Sequence, residues 1–161
     1  MTITVGDTLP SVTLTTMTDE GPEGLAVDEF FKGKKVALFG LPGAFTPTCS
    51  AKHVPGYMEK AAELKAKGVD AIACISVNDA FVMGAWAKDQ GTGDTVIMLA
   101  DGSAEFTKAA GLELDLTARG LGVRSQRFSM IVDDGKVSAL DIEPNPGELN
   151  VSSAEKMLEK L

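Results

Sequence analysis

Two cysteines and a single histidine are the strongest nucleophile and base candidates in this chain of 161 residues, and Cys49 and His53 stand four positions apart. Cys49 ends the stretch "PGAFTPTC", where two prolines and a glycine mark a turn after the apolar run Val36-Ala37-Leu38-Phe39. A thiol placed there, in the first turn of a following helix, faces unpaired backbone N–H groups and the positive end of the helix dipole. An ordinary cysteine, with a pKa near ~8.5, is only a few per cent thiolate at neutral pH. Helix N-termini and neighbouring cations can lower that value to ~3.5–7.5. Pro47 suits the first helical turn, because the N–H it lacks would be unpaired there anyway. The position therefore reads as one for a reactive thiolate.

The position three before Cys49 decides what kind of reaction the thiolate serves. A dithiol oxidoreductase uses CxxC, so that the second cysteine can release a mixed disulfide. Thr46 stands at that position instead, giving TxxC. Threonine can hydrogen-bond a thiolate or a substrate oxygen but forms no disulfide, which favours attack on a small oxygen-bearing molecule. His53, on the same helical face as Cys49, offers a competing reading as the base of a thiol hydrolase. Against it, His53 precedes Val54-Pro55 at an expected helix break, and no third residue is evident to orient it. Cys74 lies between Ala73 and Ile75 in an apolar run and reads as buried and inert.

The elements that must position these groups follow from hydrophobic period and turn chemistry. Residues 10–17 read as a half-buried strand and residues 28–33 as a short helix closed by Gly33. "KKVALFGLP" reads as a buried strand leading into the cysteine turn. From Thr46 to Lys67 helix formers dominate, with Pro55 expected to kink or restart the helix. "DAIACISV" (70–77) has the continuous apolar character of a strand buried on both faces. Asn78-Asp79 can cap a helix running to Gly91, residues 95–101 form a further strand, and "AEFTKAAGL" a further helix. Two final strands joined at Asp133-Asp134-Gly135-Lys136 carry a hairpin signal, and "SSAEKMLEKL" closes the chain as an amphipathic helix. Alternation first and a hairpin last predict an α/β fold of thioredoxin-like order, a mixed central sheet with helices on both faces, in one domain spanning 1–161. In such open sheets, sites form at the carboxyl ends of strands, where Cys49 falls.

Composition sets the class. Hydrophobic residues make up 44% and charged residues 24%, ordinary for a globular chain with a real core. The net charge of −8, with no block of lysine or arginine, argues against nucleic acid and anionic membranes as partners. No apolar run approaches the roughly 18 residues of a membrane span. With no basic-then-apolar leader at the N-terminus, a cytoplasmic location is expected. Two cysteines are too few for a disulfide framework, and no ligand spacing suggests a metal.

"PGAFTPTCS" resembles the active-site signature of the peroxiredoxins, P-x-x-x-T/S-x-x-C, and its fuller form resembles the subfamily of mammalian peroxiredoxin 5 and the plant type II proteins. The likeness continues through "HVPGYMEKAAELKAKGVDAIACISVNDAFVMGAW" and "RFSMIVDDGKV", from about Asp7 onward. The resemblance implies that Cys49 is the peroxidatic nucleophile and that Thr46 hydrogen-bonds peroxide and thiolate. It also implies that Pro42 shields the site and that Arg127 stabilises the thiolate and orients the peroxide. Arg124 is at most an outer neighbour of the site, with plain surface solvation as its alternative. The family pattern also carries a histidine at position 53 without using it as the base. Hydrogen peroxide and alkyl hydroperoxides are the implied substrates, with no cofactor beyond a thiol co-substrate. Val151 stands where mammalian peroxiredoxin 5 has its resolving cysteine. Cys74 matches the second cysteine of the plant proteins, and as a resolving thiol it would have to leave its strand. The expected cycle therefore uses Cys49 alone, reduced by glutathione with glutaredoxin or by thioredoxin. A non-covalent homodimer packed near Phe45 and Phe81 is also implied. The alternative is a peroxide sensor or holdase acting through partner binding.

Overall fold

Seven strands form one mixed sheet in the computed structural model, which describes residues 1–161. The chain opens with the hairpin β1 (Thr13–Thr18) and β2 (Gly21–Ala26), then α1 (Val27–Phe30) and β3 (Lys35–Leu41). After the cysteine turn come α2 (Val54–Glu59), α3 (Ala61–Ala66), β4 (Ala71–Ser76), α4 (Ala80–Gln90), β5 (Ile97–Ala100) and α5 (Glu105–Ala109). A small separate hairpin, β6 (Glu113–Leu116) and β7 (Gly122–Ser125), precedes β8 (Phe128–Asp133), β9 (Lys136–Ile142) and α6 (Ala154–Leu158). The strand order is β2-β1-β5-β4-β3-β8-β9, with β3, β4 and β5 parallel and the outer pairings antiparallel.

Alternate residues of the central strands feed two cores, one on each face of the sheet. Phe39, Cys74 and Ile131 point to the face covered by α2, α3, α4 and α6, where Tyr57, Leu64, Trp86 and Met157 pack. Leu38, Ala73 and Met130 point to the other, covered by α1 and α5 through Val27, Phe31 and Phe106. Helices thus lie on both faces, as the alternation of elements predicts. The β8–β9 turn also follows its sequence signal: Asp134 (φ 49°) and Gly135 (φ 82°) are both left-handed, as a two-residue hairpin turn demands.

Three departures from the sequence reading have physical causes. The first strand belongs to a hairpin, because "GPEGLA" forms β2 despite Pro22 and its glycines. β2 is an edge strand, where a missing ladder N–H is tolerated. The second is the hairpin β6–β7, not among the expected strands: "ELDL" does alternate, but each strand has only four residues and the pair stands apart from the main sheet. The third is the helix after the cysteine. The expected restart is there, since α2 begins at Val54 with Pro55 next, but the chain does not leave the helical path. Residues Cys49–His53 instead form one π turn, closed by Val54 N–H to Cys49 O. Because Pro55 has no N–H to continue the ladder, the widening falls just before it, and Pro55 sits in the first turn of α2. A further interruption, not expected from the sequence, comes at Lys60, between α2 and α3 (φ −94°, ψ 6°).

Candidate active site

β3 ends at Leu41, opposite Ser76 of β4, and the chain turns through Pro42, Gly43, Ala44 and Phe45. Asn78, just past the end of β4, accepts from the Ala44 N–H (3.0 Å) and from the Ser76 hydroxyl (2.6 Å), tying this turn to the neighbouring strand. Asp79 alone caps α4, accepting from Val82 N–H at 2.9 Å. Phe45 is held at φ 64°, a conformation that costs a bulky residue energy, and its ring is 53% exposed. Gly43 allows a close approach: a Cβ there would stand 2.9 Å from an Arg124 guanidinium nitrogen. Arg124 therefore lies against the active-site turn, donating to Leu121 O (2.8 Å) and Val77 O (3.4 Å). Pro42 is half-buried at the start of the turn.

Cys49 is fully buried, and the group it meets is Arg127, whose Nη2 donates to its Sγ at 3.1 Å. Arg127 arrives by strand register. β3 and β8 pair antiparallel with Gly40 opposite Phe128, so the residue before Phe128 lies at the carboxyl end of β3. Gly40 is required there, because the Phe128 ring occupies the space a Cβ would take. Arg127 is itself buried, only 2% exposed, and each of its three side-chain nitrogens makes a hydrogen bond. Nε donates to Pro146 O (2.9 Å), Nη1 to His53 Nδ1 (2.9 Å) and Nη2 to the sulfur. No carboxylate pairs with it. Of its three acceptors only the sulfur can become an anion, so a thiolate there completes a buried ion pair and a thiol leaves the cation unmatched.

His53 serves this arrangement as a neutral acceptor. Its Nε2–H donates to Ser152 O at 3.1 Å while Nδ1 accepts from Arg127. Burial first, and the adjacent guanidinium second, push its pKa down to about 3. A histidine with Nδ1 committed to Arg127 has no lone pair for a general base, which removes the geometric ground for a Cys–His hydrolase. Tyr57, with its phenol pushed up by burial, also donates to Ser152 O (3.0 Å), and its ring stacks on Phe39 at 4.0 Å. Thr46 donates its hydroxyl proton to Gly43 O (2.7 Å) and not to the sulfur. Its oxygen lone pairs remain to accept from an incoming O–H. Cys74 is fully buried in β4, the middle strand of the seven, and burial, then the nearby Cys49, push its thiol up. Both cysteines are free. Phe45 and Phe81 are exposed.

Several of these partners left no trace in the sequence. Pro146 and Ser152 act through backbone carbonyls, which every residue type carries. His53 could be singled out by its spacing from Cys49, but its partner Arg127 is 74 residues away.

Known proteins share this sequence and fold. The Redoxin family profile matches residues 4–158. Peroxiredoxin-2B of Arabidopsis thaliana is 52% identical over 99% of this chain and 98% of its own length. The chloroplastic peroxiredoxin-2E-2 of Oryza sativa subsp. japonica is 53% identical over 99% of this chain and 73% of its own. Among solved structures, reduced Prx3 of Vibrio vulnificus in complex with hydrogen peroxide superposes with a TM-score of 0.93 at 54% identity, covering 98% of each chain. With its cysteine turn, its buried arginine and these relatives, the chain belongs to the peroxiredoxins, the thiol-dependent peroxidases of the redoxin family.

Proposed function

We propose that the chain reduces hydrogen peroxide and alkyl hydroperoxides through a sulfenic acid on Cys49 and is recycled by an external thiol. The observation that carries this reading is the 3.1 Å contact between Arg127 Nη2 and Cys49 Sγ, made by a buried cation with no carboxylate partner. The thiolate attacks one peroxide oxygen and the O–O bond breaks. The leaving oxygen takes the electron pair and a proton and departs as water or an alcohol, leaving Cys49 as the sulfenic acid. Charge moves from sulfur to oxygen, and Arg127, fixed by Pro146 and His53, is prearranged to meet it without reorganising. The Thr46 oxygen, its own proton given to Gly43, accepts from the peroxide O–H and so orients the substrate. Pro42 shields the mouth of the turn. The Vibrio vulnificus relative, solved with hydrogen peroxide, supports the choice of substrate.

The second half of the cycle uses Cys49 alone. A first thiol condenses with the sulfenic acid to a mixed disulfide with loss of water, and a second thiol releases Cys49. Glutathione with glutaredoxin, or thioredoxin, fits this role. Cys74 is disfavoured as the resolving thiol because it is fully buried in the middle strand with its thiol pushed up. Free cysteines and a thiol donor suit the reducing cytoplasm, where we place the protein. Exposed Phe45 and Phe81 are the contacts we assign to a non-covalent homodimer.

Intact-protein mass after an equimolar dose of hydrogen peroxide tests the cycle, in the wild type and Cys74→Ser, with and without glutathione. A gain of one oxygen that becomes a glutathione adduct in both proteins is expected. Loss of two hydrogens in the monomeric wild type but not in Cys74→Ser would make Cys74 the resolving thiol. Sustained peroxide consumption with a thiol donor distinguishes an enzyme from a stoichiometric sensor.

A further inference from the structure

Glu143 is only 2% exposed, and it is bound by a concentration of donors found nowhere else in the chain. Its Oε2 accepts from the N–H groups of Asn150 (2.9 Å), Val151 (2.8 Å) and Ser152 (2.8 Å) and from the Ser152 hydroxyl (2.7 Å). Its backbone N–H donates to Arg127 O at 2.9 Å. Oε1 is buried without a partner. Burial by itself would raise this carboxyl, but the bonds from Ser152, Asn150 and Val151 together hold it below the usual carboxylate range, so it remains an anion.

These bonds close residues 143–152 into a loop whose two ends meet at one oxygen. The loop contains no helix or strand, and Pro144 and Pro146 have no N–H with which to fix it. Yet its carbonyls make much of the scaffold around the reactive sulfur. Pro146 O receives Arg127 Nε, Gly147 O receives the Thr48 hydroxyl (2.9 Å), and Ser152 O receives His53 Nε2 and Tyr57 OH. The Glu143 carboxylate bonds to neither the sulfur nor the guanidinium, so any effect it has on them passes through the loop.

We propose that Glu143 is a positioning residue: its carboxylate sets the Ser152 carbonyl against His53, and through His53 it holds the Arg127 fork on Cys49. Without the carboxylate, three N–H groups and a hydroxyl lose a common acceptor. The 150–152 backbone then turns, and the His53–Arg127 hydrogen bond loses its fixed geometry. The kinetic part of this inference rests on the peroxidase reading above; the structural part does not.

The test compares Glu143→Gln and Glu143→Ala with the wild type by two readouts. The first is the ring ¹⁵N signals of His53, the one histidine in the chain, together with the Arg127 Nε–H signal. The second is the rate of Cys49 oxidation by hydrogen peroxide in a single turnover. That rate is followed by Trp86 fluorescence, since Trp86 Nε1 is bonded to the Ser50 hydroxyl (3.0 Å) on the cysteine turn. In Glu143→Ala, moved His53 and Arg127 signals and a rate lower by about tenfold or more are expected, the scale of a slight misplacement of reacting groups. Glu143→Gln, which keeps an oxygen acceptor but not its charge, should fall between. Wild-type signals in a folded Glu143→Ala overturn the proposal, and so does a loss of rate with those signals unmoved. If Glu143→Ala does not fold, Glu143→Gln decides: moved signals support the role of the carboxylate, and wild-type signals and rate overturn it. If the wild type itself consumes no peroxide, the peroxidase reading fails, while the His53 and Arg127 signals still decide the role of Glu143.

Discussion

Acidification should destabilise this fold by an amount traceable to one side chain. His53 is neutral in the folded protein, with its pKa pushed from 6.5 to about 3 by burial and by Arg127. In the unfolded chain it titrates near ~6.5. Between these values the unfolded chain binds a proton that the folded one refuses, so stability is fully present above pH ~6.5 and declines as pH falls toward ~3. Moving from pH ~8 to pH ~5 therefore costs about 2 kcal/mol from His53 alone, rising to about 5 kcal/mol below pH ~3. The figure at pH ~5 depends only weakly on the folded value, because the folded histidine is uncharged there in any case. Urea unfolding followed by Trp86 fluorescence reads it directly: a loss of about 2 kcal/mol lowers the midpoint by about 1 M. Every carboxylate also titrates, so the quantity to compare is the difference between the wild type and His53→Gln, which cannot ionise. Glu143, whose carboxyl is held low, loses stability in the same direction, but at lower pH. The variant should lose about 2 kcal/mol less than the wild type over this range. Equal pH dependence in the two proteins would refute the placement of His53 as a buried neutral acceptor.

Further outcomes follow from the site. Arg127→Lys keeps the charge but cannot serve Pro146, His53 and Cys49 from one ammonium, and peroxide reduction should fall by about 10²–10³-fold in single-turnover kinetics. A loss under threefold would show that the charge suffices without the fork. Thr46→Val removes the oxygen that accepts from peroxide, so the oxidation rate of Cys49 should drop by about tenfold or more while Thr46→Ser retains most of it. Undiminished turnover in the valine variant would assign substrate orientation to other groups. Phe81→Asp, at an exposed aromatic, should shift the protein to monomers in sedimentation velocity; an unchanged species would put any dimer contact elsewhere.

Much of the fold was legible because it is written in local patterns. The apolar runs of β3 and β4, the Asp134-Gly135 turn and the Asp79 cap each have a short-range cause, and each is seen in the structure. The β2 strand was hidden because an edge position excuses Pro22, and whether a strand lies at an edge is known only once the sheet is assembled. Pro55 was legible as a disturbance, but its effect fell on the preceding turn, where the missing N–H widens the ladder into a π turn.

By itself the sequence determined the strand–turn–helix setting of Cys49 and the threonine that stands where a second cysteine would, because these depend on neighbours within a few residues. It also carried the family, through several separated blocks that agree. The resemblance already pointed to Arg127 over Arg124, but only the tertiary structure shows how it arrives: the register of β3 against β8 delivers Arg127 to the thiol, while Arg124 lies against the turn at Gly43. It likewise decided that His53 is a neutral acceptor, because the energy of a proton on an imidazole is set by burial and by a cation 74 residues away. The carbonyls of Pro146 and Ser152 and the carboxylate of Glu143 belong to the same class. Their contribution lies in where a backbone oxygen points, and folding alone fixes that direction.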